Sequence, residues 1–235
     1  MTMLRPAPSE AVVDGSFGPL PADLAHDLSA LRAMPPTEVL ELWRTLPPPD
    51  FPSFSGEYAG SFPTGVSPYV QAFVDENIYG GPLGHWLGKC YRPLGRVTGE
   101  GYNAWLQPDG SVTRTNRFGT HLGTSRIDGG LALLMTYSSF NRTPSVDLPA
   151  NYQVDLIDEL RQYRDGLIIG VGTQSLLAVA SGEDAEEVLG QQRAHGLEIA
   201  EPIRLGDRTH AVLGVFFLAG PVQPYRELDP DLEDG

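Results

Sequence analysis

The chain predicts a mainly β protein: an antiparallel barrel of about eight to ten strands, with N-terminal helices capping one end. Three observations carry that expectation. From about residue 84, short segments rich in Val, Thr, Tyr, Trp and Leu alternate with turn signals. Pro108-Asp109-Gly110, Asp128-Gly129-Gly130, Asp165-Gly166 and Gly206-Asp207 are hairpin-type punctuations. Finally, a meander with this many strands removes its exposed edges most simply by closing on itself.

The elements follow in order. Residues 1–21 are rich in Pro, Gly and Ala and read as a loose arm. Leu24, Leu28 and Leu31 lie at helical spacing, which predicts a helix over 22–32 that Pro35-Pro36 stops. Thr37 then caps a second helix carrying Val39, Leu40, Trp43 and Leu46, ended by Pro47-Pro48-Pro49. A third helical piece covers 69–76, with Tyr69 and Phe73 on one side. Strands fit 84–91, 98–106, 111–118, 120–127, 131–138, 152–163, 167–174, 197–204 and 210–218, and 56–62 adds another. Ser181-Gly182-Glu183-Asp184 resembles a capping box and opens a helix over 184–195. The expected division is an arm with short helices over 1–50, acting as lid or plug, a barrel over 51–226, and a mobile acidic tail over 227–235.

Composition narrows the function classes. With 41% hydrophobic and 20% charged residues in 235, a packed core is expected and wholesale disorder is excluded. A net charge of −14 argues against nucleic acid and against anionic membranes as partners. No apolar run approaches the roughly 20 residues of a membrane helix, and the first residues lack a signal-peptide stretch, so a cytoplasmic location is expected. Cys90 is the only cysteine, which excludes an internal disulfide framework and a cysteine-based zinc cage. Of the 16 basic residues, only Lys89 is a lysine. In a Pro-, Gly- and Arg-rich chain of GC-rich character, a surviving lysine marks a position where arginine does not serve.

Period-two reading assigns faces to the strands. In 152–163, Tyr152, Val154, Leu156, Asp158 and Leu160 share the buried face, so Asp158 is a carboxylate in apolar company. It needs a partner, a wet cavity or a proton. It is either half of a structural ion pair or a general acid or base. In 84–91, Lys89 shares a face with His85, Leu87 and Tyr91, while Trp86 and Cys90 take the other. If Lys89 points inward, Asp158 is its natural partner; if Trp86 does, Lys89 lies outside. Arg114, Asn116 and Phe118 alternate inward on 111–118, and Leu131, Leu133, Met135 and Tyr137 form a large-residue face on 131–138. Tyr102 and Tyr137 read as buried tyrosines with a hydrogen-bonding tip. Gly170 and Gly172 share one face of 167–174 and admit close approach of a large side chain or a ligand.

Other motifs fail on context. Gly99-Glu100-Gly101-Tyr102-Asn103-Ala104 has the letters of a dinucleotide fingerprint, but a hairpin follows it and not a helix. Gly170-Val171-Gly172-Thr173 lacks the Lys and Ser/Thr of a phosphate loop. His85, His121 and His210 are too dispersed to make a metal or haem site the leading expectation. Cys90 reads as a small buried thiol.

Gly84-His85-Trp86-Leu87-Gly88-Lys89-Cys90-Tyr91 resembles the Gly-x-Trp-x-Gly-Lys-x-aromatic signature of the GXWXG family of bacterial proteins. Leu156-Ile157-Asp158-Glu159-Leu160-Arg161 and the strand after Asp165-Gly166 are similar to later parts of that pattern. The Gly-x-Trp is also similar to that of calycin barrels such as lipocalins and nitrobindin-like proteins. The resemblance implies a calycin-like barrel with a ligand cavity, and marks Trp86, Lys89, Asp158 and Arg161 as the positions that make the pattern.

Together these readings lead to a cofactor-independent enzyme of cyclase, isomerase or hydratase type. It would act on an apolar small molecule, of secondary-metabolite kind by the GC-rich texture. Asp158 would be acid or base, tuned by Lys89, with Tyr102 and Tyr137 as hydrogen-bond donors. Trp86, His85, Arg114, Asn116, Met135 and Phe118 would contact the substrate. The alternatives are a carrier of a hydrophobic ligand and a haem-binding barrel. The expected partner is an apolar ligand or substrate, with no nucleic acid, no membrane, no metal and no cofactor; a homodimer is left open.

Overall fold

Eight antiparallel strands close a barrel in the computed structural model, which describes residues 17, 19–137, 140, 156–175, 194, 203–205 and 208–227. The strands are β1 (Gly56–Ser61), β2 (His85–Pro93), β3 (Thr98–Leu106), β4 (Val112–Thr124), β5 (Leu131–Thr136), β6 (Ile157–Arg164), β7 (Leu167–Ser175), β8 (Ile203–Leu205) and β9 (Arg208–Gln223). Each of β1 to β7 pairs with the next, β7 pairs with β9, and β9 returns to β1. The short β8 pairs only with the first residues of β9. The first and last strands thus form the seam, with Ala59 opposite Ala219 and Ser61 opposite Phe217.

The mainly β barrel expected from the sequence is therefore the fold. Residues 111–118 and 120–127, expected as two strands, form the single bent strand β4. Its bend lies near Asn116, whose φ of 53° is left-handed. Apart from Ala194, which is helical, the expected helix over 184–195 lies outside the described residues, as do the turn at 206–207 and most of the acidic tail. So does most of the strand expected over 197–204, of which Ile203–Leu205 is seen as β8. Among the described residues, no helix is long and apolar enough to cross a membrane.

The two rims differ. Tight connections at 94–97, 125–130 and 165–166 mark the lower rim. A short 3₁₀ turn, Phe51–Ser53, lies there: Phe54 sits 4.4 Å from the Tyr91 ring and 4.7 Å from that of Tyr58, and Phe51 joins the same interior cluster. At the upper rim, helix α3 (Pro68–Val74) and a π turn (Asp75–Tyr79) precede β2. Phe62 packs 5.3 Å from Trp86, and Tyr79 stacks on His85 at 4.4 Å.

Helices α1 (Ala22–Ala33) and α2 (Pro36–Arg44) form where the leucine spacing predicts them, but neither lies across an end of the barrel. Leu24, Leu28, Leu31, Val39, Leu40 and Trp43 pack on Leu167, Ile169, Val171, Val215 and Phe217, the outward side chains of β7 and β9. The reason is local. β7 and β9 are apolar on both faces, so their outer face needs a cover, and the leucine stripe of α1 supplies it. The plugging role falls to Phe51 and Phe54 instead.

Arg161 fastens this layer. It is buried on the outer wall, makes a bidentate pair with Asp128 at 2.8 and 2.7 Å, and donates to the carbonyls of Trp43 and Arg44 at the end of α2. Its guanidinium also lies 4.1 Å from the Trp43 ring centre. The planar fork and the cation at a helix C-terminus suit one another.

Candidate functional site in the barrel interior

Inside the barrel, aromatic side chains and glycines face one another. A Cβ at Gly170 would sit 2.2 Å from the ring of Phe216, one at Gly101 2.4 Å from that of Phe118, and one at Gly60 2.4 Å from that of Trp86. These glycines leave room for three large rings in one wall-to-wall layer. The close approach expected at Gly170 is made by Phe216. Gly101, once a letter of the rejected dinucleotide pattern, serves Phe118.

Lys89 ends in the middle of this layer. Its ammonium lies 5.6, 5.6, 5.3 and 5.4 Å from the ring centres of Trp86, Phe118, Tyr137 and Phe216. It donates to Asn103 Oδ1 at 3.0 Å and to the Tyr137 hydroxyl at 2.5 Å, and pairs with Asp158 Oδ2 at 3.1 Å. Burial pulls the Lys89 pKa below its ordinary 10.5, and the charge and hydrogen bond of Asp158 pull it back up. The Lys89–Asp158 pair that the strand faces suggested is thus present.

Trp86 points inward too. Its indole N–H donates to the same Asn103 Oδ1 at 3.1 Å. Alternation along β2 allowed only one of Lys89 and Trp86 inward, and both are inside because the pairing with β3 shifts register between Trp86 and Gly88. That bulge adds one residue and resets the alternation, so residues of opposite parity share the interior. Gly88 enables it. Its φ is 148°, and a Cβ there would lie 2.0 Å from the Tyr58 carbonyl oxygen.

Asp158 uses its two oxygens differently. Oδ2 takes Lys89 and also the Tyr137 hydroxyl, at 3.0 Å. Oδ1 faces Gly172, where an added Cβ would come within 3.3 Å of it. Gly172 pairs with Gly214, and a Cβ at Gly214 would meet no atom of the described residues within 4 Å. Trp105, opposite Trp86 in the β2–β3 ladder, keeps a buried indole N–H with no acceptor among the described residues. The arrangement can hold a cation, supply or take a proton at Asp158, and leave one carboxylate oxygen and one indole N–H for a guest.

The other candidates separate into inside and outside. Met135 is buried in the interior and accepts a hydrogen bond from the Tyr91 hydroxyl at 3.2 Å. Phe118 and Tyr137 are interior. Asn116 reaches the site through its backbone: its carbonyl accepts from Asn103 Nδ2 at 3.1 Å. His85 lies at the upper rim on Tyr79.

Tyr102 and Arg114 are corrections, since neither faces the interior. The β3–β4 pairing gains one residue on β4 between Thr115 and Phe118, which turns Arg114 to the outer wall, while Tyr102 faces outward by the regular alternation of β3 between Gly101 and Asn103. There the fully buried Glu57 accepts from Tyr102 at 2.8 Å and from Arg114 at 2.6 and 3.2 Å. Arg226 N donates to the Tyr102 hydroxyl at 3.1 Å, which ties the end of the described chain to this cluster. Cys90 lies beside it, fully buried, and desolvation pushes its thiol pKa up to about 12.

Asn103, Phe216 and Gly214 complete the site without having been singled out as site residues, beside Gly172, which was read as a place of close approach. Gly88 was the available signal, because a glycine inside a strand marks a bulge. Among the described residues, no group of three or more His, Cys, Asp or Glu could hold a metal ion.

No protein-family model matches the chain. No curated protein matches it. Among solved structures, a protein from Thermomonospora curvata is similar over 84% of this chain and 95% of its own, at 17% identity and a TM-score of 0.41.

Proposed function

We propose that the barrel interior is the active site of a cofactor-independent cytoplasmic enzyme that isomerises, cyclises or hydrates an apolar small molecule of secondary-metabolite kind. The observation that carries this reading is the split use of Asp158. One oxygen is anchored by Lys89 and Tyr137. The other faces Gly172, whose ladder partner Gly214 has a Cβ position that meets no atom of the described residues within 4 Å, and there a guest would sit. A carboxylate held this way transfers a proton at a fixed point, which is what general acid–base catalysis requires. The rings of Trp86, Phe118, Tyr137 and Phe216 would bind an apolar substrate and stabilise positive charge as it develops. The Trp105 indole, buried without an acceptor among the described residues, would donate to a substrate oxygen. The likeness of residues 84–91 to the GXWXG signature adds a proposed kinship and no chemistry.

A carrier role is the second reading. It is favoured by the three acceptors around Lys89, which use every hydrogen of the ammonium within the protein. Deuterium uptake from heavy water into a panel of apolar ketones and enals, followed by mass spectrometry, separates the two. The enzyme reading expects uptake by the wild type and a loss of at least ~100-fold in Asp158→Asn. It is abandoned if a folded Asp158→Asn protein matches the wild type, or if no member of the panel exchanges.

A further inference from the structure

We infer that Lys89 is a carbonyl-capturing lysine, so that the ligand class of the barrel is apolar aldehydes and ketones held as a protonated imine. This rests on the reading above that the interior admits an apolar small molecule. It goes further by assigning Lys89 covalent chemistry and not merely the anchoring of Asp158.

The geometry around the amine carries the inference. An ammonium has three N–H bonds, whereas the iminium formed from it has one. The two bonds given up must therefore leave no partner stranded in the buried interior. They do not. Asn103 Oδ1 keeps the Trp86 indole as donor at 3.1 Å. The Tyr137 hydroxyl keeps Asp158 Oδ2 as acceptor at 3.0 Å. The remaining N–H of the iminium keeps Asp158 Oδ2, now its counter-ion. The aromatic rings at 5.3 to 5.6 Å surround the cation before and after the reaction.

The protons balance. The Lys89 ammonium passes one to Asp158 Oδ2, and the free amine adds to the carbonyl carbon. A second amine proton moves to the former carbonyl oxygen, and the Asp158 proton joins it there as the C–O bond breaks. Water leaves, and a protonated imine beside an Asp158 carboxylate remains. No oxidant or reductant takes part. The low amine pKa that burial favours supports the first transfer.

Because Lys89 is the only lysine, the test is clean. The full chain is incubated with cinnamaldehyde at neutral pH and reduced with cyanoborohydride, and the adduct is located by peptide mapping. The α-amine of the chain serves as internal reference. Binding of cinnamyl alcohol, which cannot form an imine, is followed in parallel by tryptophan fluorescence. The expected result is an adduct at Lys89 that forms at least about tenfold faster in the folded protein than in concentrated urea, where an ordinary lysine is protonated. Asp158→Asn is expected to slow capture by about tenfold while cinnamyl alcohol still binds. If the alcohol binds but Lys89 is captured no faster than in urea, the imine assignment falls and the apolar-ligand reading survives. If neither compound binds, both fall.

Discussion

Lys89 and Asp158 depend on each other in a way that single substitutions expose. Removing the cation leaves a carboxylate buried among rings, which is costlier than removing both charges. Lys89→Met is expected to lose about 3–5 kcal/mol of stability. The double variant Lys89→Met with Asp158→Asn is expected to recover part of it, as measured by urea denaturation. Recovery would show that the loss is an uncompensated charge and not a packing defect. Glu159, one residue on, faces the outer wall. It is fully buried, accepts from Arg126 N at 3.0 Å, and leaves Oε2 without a partner among the described residues. Burial raises its pKa above the ordinary 4.5. The folded state therefore binds the proton more tightly than the unfolded state. Its contribution is full below about pH 4.5 and is lost as pH rises through the folded value. Glu159→Gln should accordingly gain stability relative to wild type between pH 4 and pH 7. A constant difference across that range in thermal unfolding would contradict the assignment.

The strands show what alternation along a chain can and cannot reveal. Most strand extents were readable, and the inward placement of Asp158 and Leu160 on β6 was correct, because the β5–β6 pairing runs without a shift. Two of the misreadings follow register shifts. The shift between Trp86 and Gly88 brought in both Lys89 and Trp86, where alternation allowed one. The extra residue on β4 between Thr115 and Phe118 turned out Arg114, whereas Tyr102 faces outward by the plain alternation of β3. A bulge is set by the partner strand as much as by its own residues, so period-two counting from one strand does not locate it. Gly88→Ala tests the first shift. The new Cβ would strike the Tyr58 carbonyl, a backbone atom that cannot step aside. The expected cost exceeds the ~3 kcal/mol of an ordinary substitution, with loss of the folded far-ultraviolet dichroism at ambient temperature. On the helical side, Arg161→Met removes the clamp on α2. A loss of about 3–5 kcal/mol is expected, and hydrogen exchange should rise first in residues 36–44.

At the scale of the molecule, the helices before residue 50 were legible as helices but not in their place. Their leucines require an apolar partner, yet leucine spacing does not say whether it is the mouth or the outer wall. The wall won because β7 and β9 are apolar on both faces. The same burial has a consequence for alkaline solution. Tyr58, Tyr79, Tyr91 and Tyr102 all have hydroxyls held neutral above their ordinary pKa of 10.0, by desolvation first. Raised folded values give stability that is full below pH 10 and falls as pH rises beyond it. With the exposed Tyr69 and Tyr163 replaced by Phe, most of the tyrosinate absorbance is expected to rise cooperatively and together with loss of the far-ultraviolet signal. A gradual rise of the full amplitude in that variant with the fold intact would mean that these hydroxyls are open to water.

The β1–β9 seam has a consequence in time. Ala59 is made early and Ala219 late, yet they are neighbours in the sheet. While the chain is still on the ribosome, β1 and β2 can pair but the cylinder has no closing stave. The aromatic interior around Lys89 then has no shield, and it remains exposed until the last strand emerges. Nascent-chain contacts and chaperone capture should concentrate on the early strands. Moving the termini to the turn at 165–166 would transfer the late-closing edge to the β6–β7 pair, and the sites of capture should move with it.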